Sequence, residues 1–535
     1  MIEVILAALS PGRVFLVVFL VLWARKLYFS RQVARLGSRA PEIPTYLPVA
    51  ADFIYKSIKA ARNFKDLEHW RKALELTQKA RRLDHLPTTV EINSLAKTRI
   101  IFTYNPENIK ALLTGQFADF GKGETFHQQW REFLGDSIFT TDGELWSASR
   151  HLIRPMFVRD RIVDTEIFEQ NVQKLIHLLG GSSSPTGSKI VEVGELFFRY
   201  TLDAATHYLL GEGTNSLDNP TVRFAEAFRY VQSKQAEYFR MGPLSPFMPR
   251  KKFREELKVM DDFIQPYIEK VLSLSPEELD KKVSKSDTFL DALARFTRDP
   301  RVLRDQLVAV LLAGRDTTAV TLSFCTFELA RHPEVVEKLR AEIAERLGVG
   351  AAGRKPTYND LKEMKYLNAV INETLRFYPV VPFNVRYSLH DTTLPRGGGR
   401  DGQSPIGVLR DTRIVYSTML MQRCPDLYAD DIGTERYFDP LKWIPERWMS
   451  GWQPKPWQFI PFNGGPRICI GQQFAMLEMG YTLVRIFQTY ERVIAMPVTG
   501  KDRVEDPLMK FEVTLTPGAE MNCVFLREGE SSKQQ

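Results

Sequence analysis

The sequence predicts a mainly α protein with small β-sheets, set behind an N-terminal membrane anchor. Three observations predict it: long stretches with apolar residues three and four apart, only short strand-like runs between them, and an apolar opening followed by basic residues. Composition agrees, because 44% hydrophobic and 26% charged residues in a chain of 535 can fill a sizeable core and argue against global disorder. Length alone would allow two or three domains, although α-rich enzymes of this size also form one unit.

The anchor is residues 1–27. Residues 4–24 are mostly apolar, interrupted by Ser10, Pro11, Gly12 and Arg13. The unbroken part, 14–24, is too short to cross hydrocarbon, but with residues 2–9 the span suffices. Pro11 is tolerated near one end and Arg13 can snorkel. Arg25, Lys26, Arg31, Arg35 and Arg39 follow the span, so the positive-inside rule leaves the remaining chain in the cytosol. A helix lying in the interface is the alternative. A cleaved signal peptide is disfavoured, since no small-x-small site follows the apolar run. Residues 28–48 then read as a basic, proline-rich linker whose prolines, Pro41, Pro44 and Pro48, make a stiff hinge. The globular domain is 49–535.

Within it, helical periodicity covers 70–82, 168–179, 221–235, 253–272, 302–330, 333–347, 366–377 and 472–488. Strand-like runs are 100–104, 380–387, 414–416 and 512–516, while 182–188 and 348–356 have loop composition. No repeat of 20 to 50 residues is present. Gly397, Gly399 and Gly402 fit G-x-G-x-x-G, but Gln403, Ser404 and Pro405 lead into a strand-like run rather than a helix. That context predicts a hairpin tip, not a dinucleotide site.

The net charge of +7 comes from dispersed basic residues matched by 65 acids, with no basic tract interleaved with aromatics. Nucleic acid is therefore a poor partner, and a membrane surface or an acidic protein a better one. The four cysteines, Cys325, Cys424, Cys469 and Cys523, contain no C-x-x-C pair, which disfavours a zinc site or disulfide framework and suits a reducing compartment.

Chemistry concentrates at 462–471. Phe462, Gly465, Arg467, Cys469 and Gly471 fit F-x-x-G-x-R-x-C-x-G just before a helix. The helix start favours a thiolate at Cys469, the glycines suit positive φ and close backbone approach to a flat cofactor, and Arg467 offers a permanent cation. A cysteine taken at random is a small buried hydrophobe. Five fixed residues in ten arise by chance in such a chain with probability on the order of 10⁻⁴.

In the middle of 302–330 lies Ala313-Gly314-Arg315-Asp316-Thr317-Thr318. Glycine and paired threonines are poor helix formers, and threonine hydroxyls that bond back to carbonyls can open a helix for a small ligand. Asp316 and Thr317 supply a carboxyl and a hydroxyl for proton transfer. Glu373 and Arg376 are three apart on a helix and can pair. Trp146 and Arg150 lie one turn apart, a spacing for cation–π packing.

Together these motifs resemble the cytochromes P-450, in which the loop cysteine is the axial ligand of haem iron. The resemblance implies a cytochrome P-450 fold over 49–535 and a haem-thiolate monooxygenase in which Cys469 binds the iron. It further implies proton routing by Asp316 and Thr317, propionate contacts from Trp146, Arg150, Arg386 and Arg467, and a structural trio of Glu373, Arg376 and Arg447. The arginine of that trio comes from Pro445-Glu446-Arg447-Trp448. Family precedent places pocket walls at Phe117, Phe126, Val310, Ala313, Val380, Val381, Phe383 and Leu515. Segments 120–123, 313–318, 391–399 and 462–473 look like the fungal alkane- and fatty-acid-hydroxylating branch. Animal fatty-acid hydroxylases of the family often carry a haem-esterified glutamate where Ala313 stands, so haem b is expected to be held non-covalently. The branch implies a terminal or near-terminal C–H bond of an alkane, fatty acid or fatty-acyl chain as the target. Electrons would come from NADPH through a separate cytochrome P-450 reductase, with cytochrome b5 as a further partner. The expected location is the endoplasmic reticulum membrane, with a single pass and a cytosolic catalytic domain. Oxidation of an alkyl tail or ring on a secondary metabolite is the alternative.

Overall fold

The computed structural model describes residues 11–47, 50–94, 98–157, 165–180, 189–283, 288–434 and 437–529. The first residues of the expected anchor and the 182–188 loop lie outside them. The chain divides into two units. The first comprises 1–123, 383–417 and 464–467; the second comprises 124–382, 418–463 and 468–535.

In the first unit, α1 (Pro11–Leu36) carries both apolar residues and the basic run Arg25 to Arg35. Helices α2 (Ala51–Arg62) and α3 (Asp66–Arg81) follow. A five-stranded sheet has the order β1-β2-β7-β4-β3, with β1 (Thr89–Ser94), β2 (Thr98–Thr103), β3 (Phe120–Gly121), β4 (Phe383–Ser388) and β7 (Arg413–Ser417). Only β2 and β7 run parallel. Between β4 and β7 lies the hairpin of β5 (Thr392–Gly398) and β6 (Ser404–Val408), and Gly399 and Gly402 take positive φ at its tip. The G-x-G-x-x-G segment is thus the hairpin the sequence predicts.

Residues 37–43 are not a free hinge. Ser38 donates its N–H to Pro405 O at 2.9 Å, Ile43 donates to Glu91 O at 2.9 Å, and Glu91 donates back to Pro41 O. The proline-rich segment forms no strand; isolated bridges, Ser38 to Ile406 and Glu42 to Glu91, tie it to β6 and β1. Arg39 and Arg99 both pair with the buried Glu91 carboxylate and hold it there.

The second unit is built of helices, with α4 (Gly123–Leu134) starting at the boundary. Around it come α5 (Gly143–Ile153), α6 (Glu166–Gly180), α7 (Val193–Leu210), α8 (Arg223–Met241), α9 (Lys251–Ser273), α10 (Pro300–Arg331), α11 (Pro333–Leu347), α12 (Lys365–Phe377) and α13 (Gln472–Thr489). Asp299 caps α10 by accepting the N–H groups of Arg301 and Val302, and Pro300 occupies the first turn, where its missing donor is harmless. Among the described residues α10 is the one helix long and apolar enough to cross a membrane, but most of its apolar window is buried by α7, α12 and α13. It is therefore a core helix. Strands β8 (Arg492–Ala495) and β11 (Asn522–Leu526) pair antiparallel, with Val191–Glu192 on the other side of β11. The run 512–516, expected as one strand, is instead a hairpin: β9 (Met509–Phe511) and β10 (Leu515–Pro517) flank a tight turn at 512–514. Glu512 N–H bonds to Thr514 O at 3.0 Å, which reverses the chain where alternation alone suggested continuation.

Candidate active site

The segment before α13 folds back on itself. Cys469 donates its N–H to Phe462 O at 2.9 Å, and Asn463 donates to Ile460 O at 3.0 Å. Asn463 and Gly465 turn the backbone at φ 64° and 65°. A Cβ at Gly465 would overlap the carbonyl oxygen of Leu113, so only glycine fits. Gly471 differs, since at φ −84° it is an ordinary residue preceding α13. The expectation of positive φ at both glycines therefore holds for Gly465 alone.

The Cys469 side chain is open to solvent. Even so, surrounding protein pushes its thiol up, while the Gly471 N–H and the Arg150 guanidinium pull it down without prevailing. The helix start favours the thiolate, but in the protein alone burial outweighs it.

Helix α5 brings Arg150 towards this sulfur and stacks it 5.9 Å from the Trp146 ring centroid. Burial and then Arg154 draw the Arg150 guanidinium below its ordinary range, and no carboxylate among the described residues pairs with it. In the first unit, β4 presents Arg386 at 1% exposure. Its Nη1 donates to Val385 O at 3.0 Å, and its Nε has no partner among the described residues. A buried guanidinium without a carboxylate calls for an anion. Arg467 lies in the same unit, in the short turn Gly465–Arg467. Among the described residues no three His, Cys, Asp or Glu side chains form a metal cage. In the second unit a reachable thiol beside Arg150, and in the first the buried Arg386, neither arginine paired with a carboxylate among the described residues, each suit haem, which brings its own iron and its own anionic arms.

At the centre of α10 most side chains are buried, whereas Val310, Ala313, Gly314 and Thr317 remain partly exposed. The spacing i, i+3, i+4, i+7 puts them on one face, which therefore borders accessible space. Thr317 Oγ1 donates to Ala313 O at 2.6 Å, as expected from the paired threonines, yet the helix continues without a break to Arg331. Asp316 points elsewhere and is 1% exposed. Its Oδ1 accepts from Arg315 Nη1 at 2.9 Å and its Oδ2 from Gln232 Nε2 on α8. Burial raises the Asp316 carboxyl above its ordinary range, with Arg315 and Gln232 opposing and Glu512 reinforcing.

Glu373, Arg376 and Arg447 do meet, all fully buried. Arg376 binds Glu373 in a fork, Nε to Oε2 and Nη2 to Oε1, each at 2.8 Å. Arg447 lies 3.5 Å from Glu373 Oε1. The same carboxylate accepts the Ile444 N–H and Trp448 Nε1. Burial pushes Glu373 up, but the two arginines outweigh it and the carboxyl ends below its usual range. The arginines also tie down the carbonyls of Gln422, Phe438, Asp439, Pro440 and Lys442.

Of the expected pocket walls, Val380 and Leu515 are brought together, the Leu515 N–H bonding Val380 O at 2.8 Å. Phe126 stacks on Trp130 and meets Phe239 edge-on. Val381 is exposed. In the first unit Phe117 opens the turn Phe117–Asp119, and Phe383 turns its ring towards Phe102 and Trp70, packing that needs no ligand. Sequence reasoning missed Gln422, whose amide bonds Leu375 O, Arg376 O and the Ile460 N–H and so links α12 to the cysteine segment. It also missed Gln232. Neither lies in a motif, and a lone glutamine carries no sequence signal.

Comparison with known proteins matches residues 93–521 to the Cytochrome P450 family. Cytochrome P450 monooxygenase pvhE of Talaromyces variabilis is 46% identical over 503 residues, 91% of this chain and 90% of that protein. Cytochrome P450 52A1 of Candida tropicalis is 41% identical over 416 residues, 75% and 74% of the two chains. The solved heme domain of cytochrome P450DA covers 93% of this chain and 99% of its own with a TM-score of 0.70 at 18% identity, a likeness of fold.

Proposed function

The chain belongs to the cytochrome P450 family and is a monooxygenase, and we propose that it hydroxylates an alkane, fatty acid or fatty-acyl chain at or near its end. The observation that carries this reading is the accessible face of α10, where apolar Val310 and Ala313 lie in line with the Thr317 hydroxyl on an otherwise buried helix. Val380 and Leu515, both buried and joined through the backbone, are apolar residues that would back an alkyl chain.

When bound, haem b supplies the oxygen activation and C–H oxidation that no side chain provides. Cys469 would hold its iron through the thiolate sulfur, and Trp146, Arg150, Arg386 and Arg467 would hold its propionates. Ala313 offers no carboxyl for an ester, so the cofactor is non-covalent. Asp316 stores a proton at its carboxyl, and Thr317 delivers a proton from its hydroxyl. Glu373, Arg376 and Arg447 fix the segment leading to the cysteine and take no part in the chemistry.

Electrons come from NADPH through a separate reductase, with cytochrome b5 as a second donor. The hairpin position of the glycine segment and the +7 charge, suited to an acidic partner, support this. Residues 1–27 anchor the chain, by a single pass, in the endoplasmic reticulum membrane with 49–535 in the cytosol. Leu16, Val17, Phe19, Leu20, Val21 and Trp23 are all exposed on α1, apolar surface that a bilayer would cover. The longer and higher identity to the Talaromyces protein favours a second reading, oxidation of an alkyl tail or ring in a secondary metabolite.

The test is mass-spectrometric product analysis of membranes holding the chain, a fungal reductase and NADPH, with a panel of alkanes and fatty acids. Terminal alcohols or diacids are expected. No turnover across the panel, with an intact thiolate-haem spectrum, would overturn the alkyl-chain reading in favour of the second.

A further inference from the structure

Asp316 presents a supply problem. At 1% exposure, with Oδ1 held by Arg315 and Oδ2 by Gln232, it cannot exchange protons with solvent directly. Each hydroxylation consumes two electrons and two protons, as R–H + O₂ + 2e⁻ + 2H⁺ gives R–OH + H₂O. A buried acid that donates once must therefore be refilled.

The residue after Gln232 on α8 points to the source. Ser233 Oγ donates at 2.9 Å to Oε1 of Glu512, at the turn between β9 and β10. Lys510 Nζ sits 2.7 Å from the same oxygen. The Glu512 side chain is 17% exposed and so is reached by water. Its Oε2 has no partner among the described residues. Successive residues of one helix thus grip two carboxylates, one buried on α10 and one at the surface, and these are close enough for Glu512 to act electrostatically on Asp316. The remaining groups are accounted for. Arg315 lies between the rings of Phe198 and Phe228, at 5.1 and 5.3 Å, and Arg229 of α8 acts on Arg315.

We propose that Glu512 is the solvent-side carboxylate that returns protons to Asp316, with Gln232 and Ser233 as positioning residues that hold the two acids in register. A proton leaves solvent for the Glu512 carboxylate and passes on through intervening water, which gives up one O–H proton as it takes another, to the Asp316 carboxylate. Glu512 thereby becomes ionised again, and no other bond changes. The Gln232 amide holds geometry and carries no proton. The role rests on the monooxygenase reading, whereas the coupling of the two carboxyls can be measured without turnover.

The experiment uses the full-length haem-loaded chain and its Glu512→Gln variant, both with intact thiolate-type spectra. Isotope-edited infrared spectroscopy of aspartate carboxyls, with Asp316→Asn assigning the band, should show Asp316 titrating at lower pH in Glu512→Gln, because a neighbouring negative charge is gone. In turnover with any accepted substrate, the variant should lose several-fold in product per NADPH, release the balance as peroxide and show a larger solvent isotope effect, with substrate-binding spectra unchanged. Ser233→Ala should show the coupling loss in milder form. An unchanged Asp316 titration, or unchanged coupling and isotope effect, would overturn the proposal. If neither protein turns over any substrate while the titration still moves, the coupling of the acids stands and the functional reading is what failed.

Discussion

Thr317 and Asp316 are neighbours in sequence with different surroundings. The Thr317 hydroxyl lies on the accessible face of α10, tied to Ala313 O, whereas Asp316 is clamped inside the protein. Their roles separate accordingly, and Thr317→Ala is expected to keep substrate binding while product per NADPH falls several-fold and peroxide rises. Unchanged coupling would remove Thr317 from proton delivery. Glu478 makes a second prediction. Buried on α13 and bonded to Thr318, it has its carboxyl raised to about 8 by burial, against an ordinary 4.5. Below pH 4.5 both folded and unfolded chains hold the proton, so there is no penalty. Between 4.5 and 8 only the folded chain holds it, and stability falls by about 1.4 kcal/mol per pH unit from this group until the slope vanishes above 8. The unfolding free energy of the parent should thus drop relative to Glu478→Gln between pH 5 and 8 in denaturant titrations. A difference that does not vary with pH would show that Glu478 is ionised in the fold.

At the scale of elements, what was legible in the sequence was local. The cysteine segment, the Ala313 to Thr318 run and the hairpin around Gly399 each carry their signal within a dozen residues; the hairpin forms where expected, whereas α10 runs through 313–318 without opening. What was hidden is bonded at a distance. Gln422 reaches Ile460 across 38 residues, and Gln232 reaches Asp316 across 84. The turn at 512–514 broke a predicted strand because alternation does not register a reversal made by one backbone bond. The proline segment 37–43 is tied down by isolated bridges to β1 and β6 and by Arg39, which joins Arg99 of β2 on the buried Glu91 carboxylate. The trio of Glu373, Arg376 and Arg447 joins α12 to the 438–448 segment; without Arg447 the carboxylate keeps its partner Arg376, but the part-buried carbonyls of Phe438 and Asp439 lose their donors. Arg447→Ala should cost about 2–4 kcal/mol in denaturant unfolding, from those two unmade bonds. It should also lower haem occupancy, read as the haem-to-protein absorbance ratio. A loss below about 1 kcal/mol would mean that backbone contacts alone hold the segment.

For the whole molecule, location and chemistry are separable. Residues 1–27 are proposed as an anchor, so deleting them should shift the chain from the membrane pellet towards the soluble fraction of a high-salt wash, with its haem spectrum retained. A chain still wholly in the pellet would place membrane attachment elsewhere. The apolar face of α10 and the reachable Cys469 thiol belong to 49–535, and the comparison with known proteins matches 93–521. Every functional assignment depends on that one sulfur holding iron. The most direct measurement is therefore the carbon monoxide difference spectrum of the reduced full-length chain beside Cys469→Ala. The parent should give the red-shifted band of thiolate-ligated haem, and the variant should lose it. A thiolate-type band that survives in Cys469→Ala would contradict the assignment and every role built on it.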